Sequence, residues 1–247
     1  MLTAFANGTL FGQRWGSDDA SVLALHGWSG NAAQMKPSCG GFDAISLDLP
    51  GFGASVMPGE AWGASEYADA VEPVLDEFNH KAVVVGYSFG GRVAVHLGER
   101  HPEKIRALVL TGAPLLRRAT QTKAPAGFRL MKWAARKGLV SDARMEQVRR
   151  NNGSADYRAA SGVMRDILVR VVNETYETQL QNLRVPVYMV WGSNDTAAPP
   201  WIVEEVQSLV DAPVNVVMVD GADHWFAINA PQPLTDAIAQ ALREDSL

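Results

Sequence analysis

Residues 82–97 read Ala82-Val83-Val84-Val85-Gly86-Tyr87-Ser88-Phe89-Gly90-Gly91-Arg92-Val93-Ala94-Val95-His96-Leu97. A buried-strand run passes straight into a serine bracketed by glycines and then into a helical pattern. Strand, tight turn and helix is the context in which G-x-S-x-G forms a nucleophile elbow. The chemistry accounts for the glycines. A serine perched on so sharp a turn takes a strained backbone conformation, and side chains two residues to either side would collide. The helix that follows points its free N–H groups and positive dipole end at whatever reacts there. The same five residues also fit an ordinary strand-to-helix corner with an incidental serine, so the rest of the chain must supply the partners.

Outward from this stretch, short apolar runs alternate with helical patterns. Strands are expected at Ser21–Leu25, Ala44–Leu47, Ala82–Val85, Ala107–Leu110, Pro186–Trp191 and Asn215–Val219, with a hairpin near Leu10–Trp15. Runs of Val, Leu and Ile with little alternation belong to strands buried on both faces, hence to a mostly parallel sheet flanked by helices. Helices are expected at Ser65–Phe78, Phe89–Arg100, Pro200–Leu209 and Gln232–Arg243, the second stopped by His101-Pro102.

Residues 114–182 break the rhythm. They contain no strand-like run and separate two strands by far more than one crossover needs. Helices are expected there at Phe128–Lys137, Ser141–Asn151 and Gly162–Thr178. The division is therefore a core of residues 1–113 and 183–247 with an inserted helical cap, 114–182, over the carboxyl ends of the strands, where open α/β sheets bind ligands. The cap holds thirteen Lys and Arg against six Asp and Glu; of the chain's totals of 22 and 27, nine and twenty-one remain for the core. Solvated helix faces explain such a surplus, and so does an electropositive lid that attracts anionic substrates or carriers.

The bulk numbers suit a globular α/β protein: 247 residues, 47% hydrophobic and 20% charged, with a net charge of −5 that gives no reason to expect a nucleic-acid partner. The first residues lack the basic and apolar regions of a secretory signal, and no stretch approaches the roughly 20 apolar residues of a membrane span. The single cysteine, Cys39, cannot form an internal disulfide, which fits a cytoplasmic location. No zinc spacing, GxxxxGK[ST] or strand-linked GxGxxG signals a metal or cofactor.

A serine nucleophile needs a base, itself oriented by an acid. Of five histidines, His96 and His101 lie in or at the end of the helix after the elbow, His80 precedes the elbow strand, and His26 ends an early strand. His224, in Val219-Asp220-Gly221-Ala222-Asp223-His224-Trp225, follows the last strand and leaves the sheet at the serine's edge. Asp195, in Trp191-Gly192-Ser193-Asn194-Asp195, follows another strand at that edge, whereas Thr111-Gly112-Ala113-Pro114 offers no carboxylate. Asp220 is the runner-up acid. Acyl transfer also needs two N–H donors for the developing oxyanion, each worth about 3–4 kcal/mol. Phe89 N–H, after the nucleophile, is one; Trp28 N–H, in His26-Gly27-Trp28-Ser29-Gly30, is the other.

Together these stretches, with Asp48-Leu49-Pro50-Gly51-Phe52-Gly53-Ala54-Ser55 and Asp223-His224-Trp225, resemble the α/β-hydrolase superfamily over nearly the whole chain. The order Ser88, Asp195, His224 is that superfamily's order. Within it, the His-Gly-Trp, the Asp-Leu-Pro-Gly-Phe-Gly and the basic cap look most like the pimeloyl-[acyl-carrier protein] methyl ester esterases. That likeness implies a small-molecule ester substrate and an acidic acyl carrier protein received by basic cap residues, among them some of Arg129, Lys132, Arg136, Arg144, Arg149, Arg150, Arg158 and Arg165. Ser88 departs from the elbow aspartate of haloalkane dehalogenases and epoxide hydrolases. Tyr87 stands where carbon–carbon bond hydrolases usually carry Asn, and Arg92 where cofactor-free perhydrolases tend to have Gly.

The expectation is a serine carboxylesterase using Ser88, His224 and Asp195, with Trp28 and Phe89 amides at the oxyanion. The competing readings are a carbon–carbon bond hydrolase of meta-cleavage-product type and a non-catalytic ligand receptor on the same fold.

Overall fold

The valine- and leucine-rich runs become strands because β-branched and apolar side chains lose little rotamer freedom on a pleated surface and gain burial on both faces. The computed structural model describes residues 1–118 and 155–244. Eight strands form one sheet in the order β1-β2-β4-β3-β5-β6-β7-β8. They are β1 Leu2–Phe5, β2 Leu10–Trp15, β3 Val22–Leu25, β4 Ala44–Asp48, β5 Ala82–Tyr87, β6 Ile105–Thr111, β7 Val187–Gly192 and β8 Val214–Val219. The hairpin β1–β2 is antiparallel, and β2 joins β4 antiparallel; every pairing from β4 through β8 is parallel.

Every residue of β3, β4, β5 and β7 is buried. Alternate residues serve opposite layers. Leu23, Leu25, Val84, Leu108 and Met189 pack on one side with α2 (Ala64–Val71), α3 (Phe89–Arg100) and α7 (Trp201–Leu209). Val22, Ala24, Val83, Val85 and Val109 pack on the other with α1 (Lys36–Cys39), α8 (Phe226–Asn229) and α9 (Gln232–Arg243). Between β6 and β7 the described residues contribute α4 (Ala155–Ala159), α5 (Gly162–Val171) and α6 (Glu177–Asn182). The expected helices Phe128–Lys137 and Ser141–Asn151 lie outside the described residues. Among the described residues no helix is long and apolar enough to cross a membrane.

Two expected helices are each shorter than their pattern. The Ser65–Phe78 pattern is α-helical only through Val71 and continues as a 3₁₀ segment, Glu72–Glu77. Pro73 is the cause: it lacks the N–H for the next α-helical bond, and its ring crowds the carbonyl four residues back. The Gly162–Thr178 pattern splits at Val172–Tyr176: the Asn173 and Glu174 N–H groups close tighter turns on Arg170 O and Val171 O, and the Tyr176 N–H donates to Leu115 O instead of resuming the helix.

The strand order positions the site. From β3 the chain moves outward to β4 and then returns to β5 on the other side of β3. At such a reversal the connections leave in opposite directions, opening a crevice at the carboxyl ends of the two strands. The loop after β3 and the turn after β5 meet there, drawn together by the Gly90 N–H, which donates to His26 O at 3.0 Å. The approach is close enough to exclude a side chain: a Cβ on Gly90 would sit 2.2 Å from Leu25 O, and one on Gly86 would sit 2.5 Å from the Gly91 Cα. Both obstacles are backbone and cannot swing aside. Gly90→Ala is expected to lower unfolding free energy by about 1–3 kcal/mol, read from urea denaturation; an unchanged midpoint would contradict this packing.

Candidate active site

Ser88 joins β5 to α3 at φ 51°, ψ −108°, a conformation that a residue with a Cβ rarely adopts. Three backbone bonds hold it. Ser88 N–H donates to Thr111 O at 2.9 Å, Gly91 N–H donates to Ser88 O at 3.1 Å, and the Gly90 bond described above closes the turn against the β3 loop. The Oγ is thereby lifted clear of the sheet at the start of a twelve-residue helix.

His224 follows β8 and reaches that hydroxyl. Its Nε2 lies 3.1 Å from Ser88 Oγ, and its Nδ1 lies 2.8 Å from Asp195 Oδ2. With the carboxylate accepting the Nδ1–H, Nε2 is left with a lone pair aimed at the serine proton. Asp195 is 2% exposed. Its other oxygen, Oδ1, accepts the N–H groups of Ala197 and Ala198 at 2.9 and 2.8 Å. The carboxylate is thus fixed from both sides. The runner-up acid does not reach the ring: Asp220 Oδ1 accepts from Ser193 Oγ at 3.3 Å. Asp223, next to the histidine, is exposed and accepts the Trp225 N–H at 2.9 Å.

The other histidines are placed elsewhere. His80 is near Asp19 at the opposite end of the sheet, His101 lies between Glu72 and Glu103, and His96 is buried against Tyr176. His26 lies beside the site but is spent on structure. Its ring bridges Gly27 O at 2.6 Å and the Leu49 N–H at 2.9 Å.

Trp28 and Phe89 face each other beside the serine, their rings edge-to-face at 5.4 Å. Among the described residues neither backbone N–H has an acceptor. Both line a cavity of about 450 Å³ with Ser88, His224, Tyr87, Arg92, Leu168, Val171 and Trp225. The volume matches a small to medium ligand. Leu168 and Val171 belong to α5, so the segment between β6 and β7 walls the cavity opposite the sheet. Of the basic residues in that segment, Arg118 pairs with Glu205, Arg170 with Glu66, Arg117 bonds to Asn173, and Arg165 bonds to Ala160 O. Arg129, Lys132, Arg136, Arg144, Arg149 and Arg150 lie outside the described residues.

Three supporting residues escape a reading by motif. Tyr87, between glycine and serine, donates its hydroxyl to His224 O at 3.2 Å and so ties the histidine loop to the elbow strand. Asp48 accepts Ala32 N–H and Ala54 N–H, one on each oxygen, joining the loops that follow β3 and β4. Arg92 lines the cavity one helical turn past the serine. Its signal was available: an arginine in the first turn of the helix that follows the nucleophile.

The model of the alpha/beta hydrolase family matches residues 22–237. Solved structures share the fold over almost the full length of both chains. A bromoperoxidase from Bacillus anthracis aligns at a TM-score of 0.73 with 17% identity, covering 99% of this chain and 100% of that one. An esterase from Exiguobacterium antarcticum aligns at 0.72 with 16% identity, covering 99% of each. A variant of a meta-cleavage product hydrolase aligns at 0.68 with 18% identity, covering 99% and 98%.

His26 gives this region a pH signature. Full burial pushes its pKa down to about 4, only partly offset by the Gly27 carbonyl and the Asp48 charge. The unfolded chain binds that proton near the ordinary value of about 6.5, so stability falls as pH drops from there toward 4. The expected loss between pH 7 and pH 5 is about 2 kcal/mol from this group. Urea melts of the protein and of His26→Gln should differ in pH slope by that amount; equal slopes would contradict the role given to His26.

Proposed function

The chain belongs to the alpha/beta hydrolase family, and from that premise we propose that it is a serine carboxylesterase acting on a small to medium acyl ester. The observation that carries the reading is the continuous chain Ser88 Oγ–His224 Nε2, 3.1 Å, and His224 Nδ1–Asp195 Oδ2, 2.8 Å, opening on a cavity lined by Trp28 and Phe89, whose backbone amides have no acceptor among the described residues.

In this reading His224 Nε2 takes the Ser88 proton as Oγ attacks the ester carbonyl. The imidazolium that forms is stabilised by Asp195, whose charge is already held by three N–H donors and so costs no reorganisation during reaction. The Phe89 and Trp28 amides receive the oxyanion, and the start of α3 adds its dipole. His224 returns the proton to the leaving alkoxide, which departs as alcohol and leaves an acyl-Ser88. Water, deprotonated by His224, attacks that carbonyl; the acid leaves, and the proton returns to Ser88 Oγ. Atoms and charge balance over the cycle with no cofactor in any step. The esterase among the structural relatives agrees with this chemistry, and the cavity accommodates such an ester.

Hydrolysis of p-nitrophenyl butyrate tests the assignment. Ser88→Ala is expected to lower kcat by about 10⁵-fold or more. Asp195→Asn, which offers Nδ1 a donor as readily as an acceptor, should lower it by about 10³–10⁴-fold. Undiminished turnover in Ser88→Ala would overturn the mechanism, and near-normal turnover in Asp195→Asn would remove the acid from it.

A further inference from the structure

Arg92 is a buried cation with no counter-ion among the described residues. It is 6% exposed and yet lines the cavity that holds Ser88 and His224. One N–H of its guanidinium donates to Val171 O, and its central carbon lies 6.0 Å from the Tyr176 ring. Among the described residues it makes no further hydrogen bond and no ion pair. A guanidinium carries five N–H donors in a fixed fork and stays charged throughout the physiological range. The donors not given to Val171 are open to the cavity, where a ligand can take them.

The neighbouring acid does not answer it. Glu174 reaches Arg92 only through its field. Its Oε2 accepts the Ala64 N–H at 3.1 Å and the Tyr176 hydroxyl at 2.9 Å, and its Oε1 stands 3.6 Å from Arg170 Nε. Burial disfavours the Arg92 cation, and the charge of Arg117 presses the same way. The acids that line the cavity, Asp156 and Asp223, are both exposed, with water to solvate them. Asp156 and Asp223 oppose an approaching anion, but solvent screens them, whereas the charge of Arg92 is held at depth and attracts it.

We propose that Arg92 receives a carboxylate of the substrate, so that the preferred ester carries a free acid on one of its two arms. Ser88 immediately precedes α3, Arg92 is the fourth residue of that helix, and both line the same cavity. A monoester of a short diacid such as succinate or glutarate would then set its ester carbonyl at Ser88 and its carboxylate in the fork of Arg92. The inference rests on the ester-hydrolase reading for its reaction, but not for its binding site.

The test compares matched pairs that differ by one charge. Monomethyl glutarate against dimethyl glutarate places the acid on the acyl arm; 3-acetoxypropionate against its methyl ester places it on the alcohol arm. In wild-type protein one of the two anionic esters should exceed its neutral partner in kcat/KM by about tenfold or more. Arg92→Met should bring that ratio to about one or below through KM, and Arg92→Lys should keep part of it. No preference in either pair, or a preference that survives Arg92→Met, would overturn the proposal. The wild-type ratios decide even where a variant fails to fold. Should wild-type protein turn over no ester at all, the ester reading fails separately. Calorimetry of glutarate with Ser88→Ala then decides: binding that disappears in Ser88→Ala/Arg92→Met supports the carboxylate site, and no binding, or binding that persists, overturns it.

Discussion

The backbone of Ser88 is the constraint on which the rest of the site depends. A non-glycine residue at φ 51°, ψ −108° costs about 1–3 kcal/mol, and the surroundings over-determine it. Thr111 at the end of β6 accepts its N–H, the β3 loop accepts the N–H of Gly90, and α3 starts on the next residue. Three strands must therefore stand in register before the serine can stand where it does. The two flanking glycines serve the same end, because the backbones they bring together leave no room for a Cβ.

Around that turn, buried polar groups fix loops that the sheet alone would leave free. Asp48 spends one oxygen on the loop after β3 and the other on the loop after β4. His26, kept neutral by burial, ties Gly27 to Leu49. Phe52 then packs edge-to-face on both His26 and Trp28, at 5.4 and 5.0 Å. The Asp-Leu-Pro-Gly-Phe-Gly segment thus shapes the position of the Trp28 amide without touching the serine. Tyr87 and Asp195 do the same for His224, one holding its backbone and the other its ring. Against these groups Arg92, with one hydrogen bond among the described residues, stands out.

Much of the fold was legible because parallel strands buried on both faces leave continuous apolar runs, and β3 to β7 follow those runs within a few residues; β8 also follows its run but lies at the sheet edge, with Val217 and Met218 exposed. The short β1 was not, since Leu2–Phe5 gains its strand character from pairing with β2. Helix ends failed where a long-range partner intervened, as Leu115 does at Tyr176. At the site, elimination among five histidines picked out the one that the structure brings to Ser88, because position relative to the strands is encoded locally. Arg92 was different. Its place in the first turn of the helix follows from spacing, but its burial depends on Val171 and Tyr176, about eighty residues away in the chain. No local pattern carries that.

In the proposed mechanism this constellation makes Ser88 the nucleophile. Treating the protein with a fluorophosphonate and mapping the adduct by mass spectrometry tests it most directly. The account predicts a single stoichiometric adduct on Ser88, slowed severely by His224→Ala and absent from Ser88→Ala. An adduct elsewhere, or no adduct in folded protein, would contradict it.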